Sequence, residues 1–494
     1  MTTIKAKKRL QALVRKKLDQ RLLIVVSNRE PYVHNLQGGK VKVLQPAGGA
    51  VNALEPVVRS CNGLWIAHGS GTADRRTVNN TDKIKLPPGQ AKYSLRRVWL
   101  SRKEEEGYYY GYSNRSIWPL CHMVYIRPTF VESDWSYYQK VNQKFADAVL
   151  EEMGKKEAIV WIQDYHLALL PAMIKKARPD TMVAHFWHIP WVNAEAFRIC
   201  PAKKEILEGL LANDVLAFHI RHHCINFLDA VELELEARID IERTSVIYRG
   251  HETLIRAFPI SIDFSEISSR AESKEIKLKV SHFEKEFSLI KTKYKTVAFS
   301  LDRIDYTKGI PERLRAIDRF FEKYPQYKEK IVFIQIGALS RIHLKAYKEL
   351  NDEIDNIIEQ INWKHSTDTW SPVFFRRRTF DFKEKLALYR LSNLCIVSPL
   401  HDGMNLVAKE YIAAKNDLNG TLILSQFTGA ARELRDAVSI NPYDPDDFAD
   451  KIKKAIEMPE AGRIRRMKKL REIVRRNNVY KWAGRVVSEL EKIR

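Results

Sequence analysis

The chain reads as an α/β protein built from two Rossmann-like, doubly wound parallel-sheet domains, and three observations carry that reading. Short continuous apolar runs recur along it, at 21–29, 158–163, 182–187, 212–217, 297–301, 331–336, 395–397 and 422–425, each the length of a strand buried on both faces. Stretches with helical spacing of apolar residues separate them, the alternation expected of βαβ units. At 494 residues the chain exceeds what one core ordinarily holds. The charged, helical stretch 265–287 is read as the crossing, giving domains at 1–265 and 266–477 and a C-terminal helix, 478–494, packing back on the first.

Composition narrows the function. Hydrophobic content of 45% is ordinary for a globular protein, and no apolar run approaches the roughly 20 residues of a membrane helix. The five cysteines are scattered, without metal-site spacing, and read as reduced thiols of a cytoplasmic protein. The formal charge is +22, but the basic residues are spread and not interleaved with aromatics, and no helix-turn-helix or zinc module appears. That points away from nucleic acid and toward anionic substrates in a basic shell.

Residues 1–20 form a basic amphipathic helix with Leu10, Leu13, Val14 and Leu18 on one side. Its arm-like character suits packing on its own protein or on a partner subunit of a homo-oligomer better than membrane binding. The first strand, 21–29, ends in Arg29, placed to meet an anion. A polar loop or hairpin follows, then Gly48 and Gly49, a glycine turn opening a helix whose N-terminus suits phosphate. A short strand at 64–67 leads into the loop HGSGTADRR, and another strand is expected at 93–100. The segment 107–122, GYYYGYSNRSIWPLCH, is read as an aromatic loop wall for a sugar ring.

A helix covers 135–153. The next two strands end at Asp164 and at His188, on the same side of a parallel sheet. His219, His222 and His223 lie near one another, but adjacent histidines face apart on a helix, so no metal site is expected. In the second half, Arg303 and Lys308 flank a turn before a helix that begins at Gly309 and Pro311, a plausible diphosphate clamp. The stretch CIVSPLHDGMNLVAKEY, 395–411, passes from buried strand through a short polar turn to a helix. Ligands of open α/β sheets sit outside such strand ends. Asp402 lies at the mouth of this turn, and Glu410 about two helical turns on can reach a pair of hydroxyls.

Taken together, SNR, AGG, YSNRSIWP, WIQDYHL, HIPW, DRIDYTKGIPER, SPLHDGMNLVAKEY, LSQFTGAA and NPYD resemble the trehalose-6-phosphate synthase family of retaining glycosyltransferases, from about Arg21 to the end of the chain. The resemblance implies the GT-B architecture, two Rossmann-like domains facing a cleft, and a transfer that uses no metal or other cofactor. It implies that Arg303 and Lys308 hold the nucleotide-sugar diphosphate, with Gly48, Gly49, Gly403, Asn405 and Leu406 beside it. Glu410 would take the ribose hydroxyls, Phe380 would lie near the base, and Asp402 and His188 would hold the donor glucose, with Asp164 near the reacting sugars. Arg29, Tyr109, Trp118 and Arg341 match the positions that hold the acceptor's phosphate and ring.

Four departures fall mostly on the acceptor side: His68 stands where the family has Trp, Tyr110 where it has Asn, Trp191 and Val192 where it has Phe-Pro, and Ser261 where it has Gly. The implied reaction is transfer of glucose from UDP-glucose to glucose 6-phosphate. A sister activity, from ADP-glucose to glycerol 3-phosphate, is the alternative, and a catalytically silent binding homologue is a third reading. The last is disfavoured by intact Asp402, Glu410, Arg303 and Lys308.

Overall fold

A computed structural model describes residues 21–45, 49–287 and 296–492, with Lys8, Leu10 and Ala12. Apart from those three residues the N-terminal helix lies outside the described residues, as does Gly48. The chain divides into two compact units: residues up to Ile260 together with the helix Val479–Glu491, and Ser261–Asn478.

The first unit holds strands β1 (Leu22–Arg29), β4 (Leu64–His68), β5 (Lys83–Leu86), β6 (Tyr93–Val98), β7 (Ala158–Gln163), β8 (Met182–Phe186), β9 (Val215–Phe218), β10 (Arg238–Asp240), β11 (Ser245–Tyr248) and β12 (His251–Ala257), in one ten-stranded sheet ordered β10-β11-β12-β9-β8-β7-β1-β4-β6-β5. The seven strands from β12 to β6 pair in parallel, and β5, β10 and β11 add antiparallel edges. A separate hairpin, β2 (Val33–Gln37) and β3 (Lys40–Leu44), occupies the polar stretch after β1. The chain builds outward from β1 through β4 to β6, then returns to β7 on the other side of β1. Strand order therefore reverses between β1 and β7, and the crevice at their carboxyl ends is a binding position.

The second unit repeats the design. Its parallel sheet runs β15 (Val373–Arg376), β14 (Ile331–Ala338), β13 (Thr296–Arg303), β16 (Leu394–Val397), β17 (Thr421–Ser425), β18 (Val438–Ile440). Here order reverses between β13 and β16. The interiors of β13, β14, β16 and β17 are almost wholly buried Val, Ile, Leu, Phe and Ala, which is why they read as strands without alternation.

Residues 265–287 are helical, as expected. They form two helices of the second unit, Phe264–Ala271 and Lys274–Glu286, whose charges are solvated while Ile267, Ala271, Ile276 and Phe283 are buried. The segment 107–122 is helical rather than loop: a π-helix, Glu105–Ile117, runs into a short α-helix, Trp118–His122. The glycines that suggested a loop serve close packing. A Cβ at Gly107 would lie 2.4 Å from Tyr137, and one at Gly111 2.5 Å from Asp134, both on the helix Glu132–Met153. In the first unit the helix Val479–Glu491 packs on β8 and on the helix Gly49–Cys61, with Trp482 against Trp161 and Phe186. Among the described residues no helix is long and apolar enough to cross a membrane.

One buried ionic cluster fixes the loop after β4. Arg97, on β6, donates to Glu30 at 2.8 Å, to Thr77 at 2.8 Å and to the carbonyls of Tyr32 and Asp74 at 3.1 Å, and it lies 2.8 Å from the Asp74 carboxylate. Burial pushes the Glu30 carboxyl up to about 8, aided by the neighbouring Asp74. Burial also opposes ionisation of Asp74, but Glu30, the amides of His34 and Gly71, and Arg97 outweigh it and hold Asp74 low, so the two carboxyls share one proton. Replacing Arg97 with Met strands Asp74 without its cation; unfolding in urea is expected to show a loss of about 3–5 kcal/mol.

Candidate active site

In the second unit the candidate residues collect at the reversal between β13 and β16. Arg303 is the last residue of β13, and the 3-10 turn Tyr306–Lys308 and the helix Ile310–Lys323 follow it. Gly309 joins them in the left-handed region, φ 61°, and a Cβ there would meet the Ser398 carbonyl oxygen at 2.3 Å. No side chain fits that contact, so the Lys308 turn lies directly on the loop leaving β16. Lys308, 9% exposed, closes the contact with an ion pair to Asp402 at 2.5 Å.

Asp305 organises the cations of this unit. It is fully buried and accepts from the Thr307 amide at 3.1 Å, the Thr307 hydroxyl at 3.0 Å, Tyr347 at 3.1 Å and Arg341 at 3.3 Å. Burial alone would raise its pKa; Arg341, Arg303 and Lys308 together draw it down to about 2. Arg341 is thus a buried residue of the second unit, tied to Asp305 and to Tyr347 at 2.6 Å. Next to Asp305, Asp302 and Arg313 form a second buried pair at 2.9 Å.

Beyond β16, Asp402 is held on three sides. Its amide bonds the Phe427 carbonyl at 3.1 Å, its carbonyl accepts from Gly429 at 3.1 Å, and Asn405 donates to its carboxylate at 3.3 Å. Asn405 then caps the helix Leu406–Ala414 in a positive-φ conformation, its side chain accepting from the Ala408 amide at 3.3 Å. The first amides of that helix lie next to Asp402, Gly403 and the Lys308 turn, an arrangement suited to a diphosphate. Glu410, 8% exposed on the second turn, accepts from Tyr389 at 2.9 Å through one carboxylate oxygen. Phe380, given a place near the base, has its ring buried against Phe283, with the Arg378 guanidinium 3.8 Å above it.

In the first unit Arg29 ends β1, and its guanidinium donates to the Tyr109 hydroxyl at 3.1 Å. Tyr109 is set by the π-helix. Asn114 donates to its carbonyl at 2.7 Å and accepts from Tyr165 at 2.8 Å, and the Tyr109 ring stacks on His166, centroids 5.7 Å apart. Trp118 is 5% exposed and packs on His122 and Tyr165.

Across the reversal, Asp164 follows β7 with φ 70°, accepting from the Tyr165 amide at 3.0 Å and the His188 amide at 3.1 Å. His188 is bonded through Nε2 to Gln163 at 2.9 Å. Desolvation, with His185 nearby, holds the His188 imidazole down at about 3, so it is neutral throughout the physiological range.

Of the departures from the family pattern, His68 lies in the strand register opposite Arg29, and burial lowers it to about 4, keeping it neutral. Trp191 is fully buried among Trp187, Phe197, Phe218 and Phe227, a core residue and not a pocket wall. The sequence reading missed Asp305, Tyr389, Gln163 and the Arg97 cluster. The first was visible in principle, as an acidic residue between Arg303 and Lys308.

A model of glycosyltransferase family 20 matches residues 21–492. The chain belongs to glycosyltransferase family 20. Among relatives, it is 35% identical over 469 residues to "Trehalose-6-phosphate synthase" of Mycolicibacterium smegmatis, covering 93% of this chain and 90% of that protein. It is 32% identical over 471 residues to "Alpha,alpha-trehalose-phosphate synthase [UDP-forming] A" of Dictyostelium discoideum, covering 95% of this chain but only 62% of that longer protein. Among solved structures, an Escherichia coli protein bound with UDP-2-fluoro glucose superposes with a TM-score of 0.84 at 31% identity, over 95% of this chain and 99% of that one. A Burkholderia xenovorans alpha,alpha-trehalose-phosphate synthase in complex with glucose-6-phosphate gives 0.85 at 27% identity, again over 95% and 99%. The family 20 fold and its two reversal points are thus the frame in which the residues above sit.

The Gly309 contact makes a test of this geometry. Gly309→Ala places a methyl group in the Ser398 carbonyl and is expected to separate the Lys308 turn from Asp402. Calorimetry should show donor-nucleotide affinity falling at least tenfold, with a stability loss of about 1–2 kcal/mol from the left-handed backbone alone.

Proposed function

We propose that this family 20 protein transfers glucose from UDP-glucose to glucose 6-phosphate with retention of configuration, forming trehalose 6-phosphate. The observation that carries the donor half is the gathering of Arg303 and Lys308 around Asp305, beside the N-terminus of the helix Leu406–Ala414. A nucleotide-sugar diphosphate has the charge and size for that set, and Glu410 has a second carboxylate oxygen for a ribose hydroxyl. The relatives' printed names support UDP and trehalose phosphate, and the two ligand-bound neighbours support a UDP-sugar and glucose 6-phosphate.

Chemically, the bond from the sugar's anomeric carbon to the diphosphate breaks while the acceptor hydroxyl attacks on the same face. The departing phosphate oxygen takes the acceptor's proton. Negative charge builds on the leaving group, so its stabilisation dominates the barrier. Arg303, Lys308 and the helix N-terminus supply the positive charge that offsets it. Arg29 and Tyr109, joined at the end of β1, serve the acceptor phosphate, and Asp164 and His188 lie by the reacting sugars.

Nucleotide release across a matrix of donors (UDP-glucose, ADP-glucose) and acceptors (glucose 6-phosphate, glycerol 3-phosphate, glucose) tests the assignment. UDP-glucose with glucose 6-phosphate is expected to be fastest, and a preference for ADP-glucose with glycerol 3-phosphate would overturn it. Arg303→Ala is expected to lower kcat at least 10²-fold, by the loss of one preorganised charge on the leaving group.

A further inference from the structure

Gln163 is the one polar residue of β7, AIVWIQ, and it is 2% exposed. A buried amide usually satisfies both of its ends. Here the oxygen bonds His188 Nε2 at 2.9 Å, while Nε2 of Gln163 has no hydrogen-bond partner among the described residues. The side chain is therefore retained at a cost, and its single bond goes to His188. An amide oxygen only accepts, so the imidazole nitrogen facing it carries the proton. The backbone of His188 is fixed independently by its amide bond to Asp164, whose own conformation, φ 70°, is one that few residues adopt. The ring is thus held at both ends, and the residue is only half-buried.

We propose that Gln163 is a positioning residue for the transfer: it fixes His188 with Nε2–H turned into the protein and leaves Nδ1 as a hydrogen-bond acceptor for a hydroxyl of the reacting sugar. The proposal rests on the reading that places His188 beside that sugar. The ionisable groups around the ring are Asp164 on the preceding loop, His185 on β8 and His219 beyond β9, ring centroids 5.4 Å away; His185 is itself buried and donates from Nε2 to the Asp164 carbonyl at 2.9 Å. From the C-terminal helix Trp482 packs on Phe186, whose ring in turn meets His188. None of these replaces the bond that Gln163 makes.

Two variants test it, Gln163→Leu and Gln163→Glu, each in the full chain, with thermal unfolding as the control for folding. Selective ¹⁵N-histidine NMR, with His188→Gln to assign the resonance, reads the tautomer directly. The parent is expected to show Nε2–H with an unprotonated Nδ1, and Gln163→Leu a mixture of tautomers. In turnover, Gln163→Leu is expected to lower kcat about tenfold, the loss of one hydrogen bond's worth of alignment, with KM for glucose 6-phosphate little changed. Gln163→Glu keeps the acceptor but adds a charge that favours imidazolium, so kcat should rise with pH across roughly pH 6–8, a limb absent from the parent.

Identical His188 resonances in the parent and Gln163→Leu overturn the proposal. Altered resonances with undiminished kcat overturn the assignment of His188 to the reacting sugar, and the role in transfer with it. Loss of the preference for UDP-glucose and glucose 6-phosphate in the parent itself would instead sink the reaction assigned, whatever the tautomer.

Discussion

The second unit is built around one buried carboxylate. Asp305 sits at zero exposure with the cationic side chains of Arg341, Arg303 and Lys308 drawn toward it. Arginine and lysine heads placed together repel one another and lose hydration, and without a buried counter-charge they would turn outward. Asp305 balances that repulsion from beneath, and its bonds to Thr307 shape the turn that carries Lys308. The balance leaves net positive charge at the surface of the site. A diphosphate then meets cations already in place and pays little to organise them, which is the condition for stabilising a leaving group in the transition state.

The position of that carboxylate follows from topology. In both sheets strand order reverses once, between β13 and β16 and between β1 and β7. At a reversal the two connections leave for opposite faces, so the carboxyl ends of the central strands are not roofed over. Arg303 and the loop to Asp402 stand at one reversal; Arg29, Gln163 and Asp164 stand at the other. Glycine completes what topology begins. The close approaches at Gly309 to the Ser398 carbonyl and at Gly429 to the Gly403 carbonyl, the latter 2.0 Å from an added Cβ, press three strand-end loops into one surface.

Much of this was legible in the sequence, for a physical reason. Strands buried on both faces write themselves as unbroken apolar runs, and their last residues point to the site. Arg29, Asp164, Arg303 and Asp402 were therefore placed at or just past strand ends by position alone. Side-chain partners across the sheet were not. Nothing local links Arg97 to Glu30, 67 residues apart, or Arg341 to Asp305, 36 apart. Glycine misled at 107–122, where it permits helix packing against Tyr137 and Asp134 and does not break the helix.

The two units answer different electrostatic demands. A diphosphate presents formal charge and needs cations held against their own repulsion, hence Asp305 and the Lys308–Asp402 pair at 2.5 Å. Sugar rings present neutral hydroxyls, which are recognised by donors and acceptors of fixed direction. The first unit accordingly suppresses charge near the end of its reversal: burial keeps His188, His185 and His68 neutral, and Glu30 retains a proton beside Asp74. Arg29 keeps a cation at the end of β1, steadied by Tyr109, where an acceptor phosphate would need one. Neutral imidazoles are useful only if their tautomer is defined, since each ring nitrogen is either donor or acceptor. In the first unit that definition comes from uncharged partners, the Gln163 amide for His188 and the Asp164 carbonyl for His185, which fix direction without adding charge.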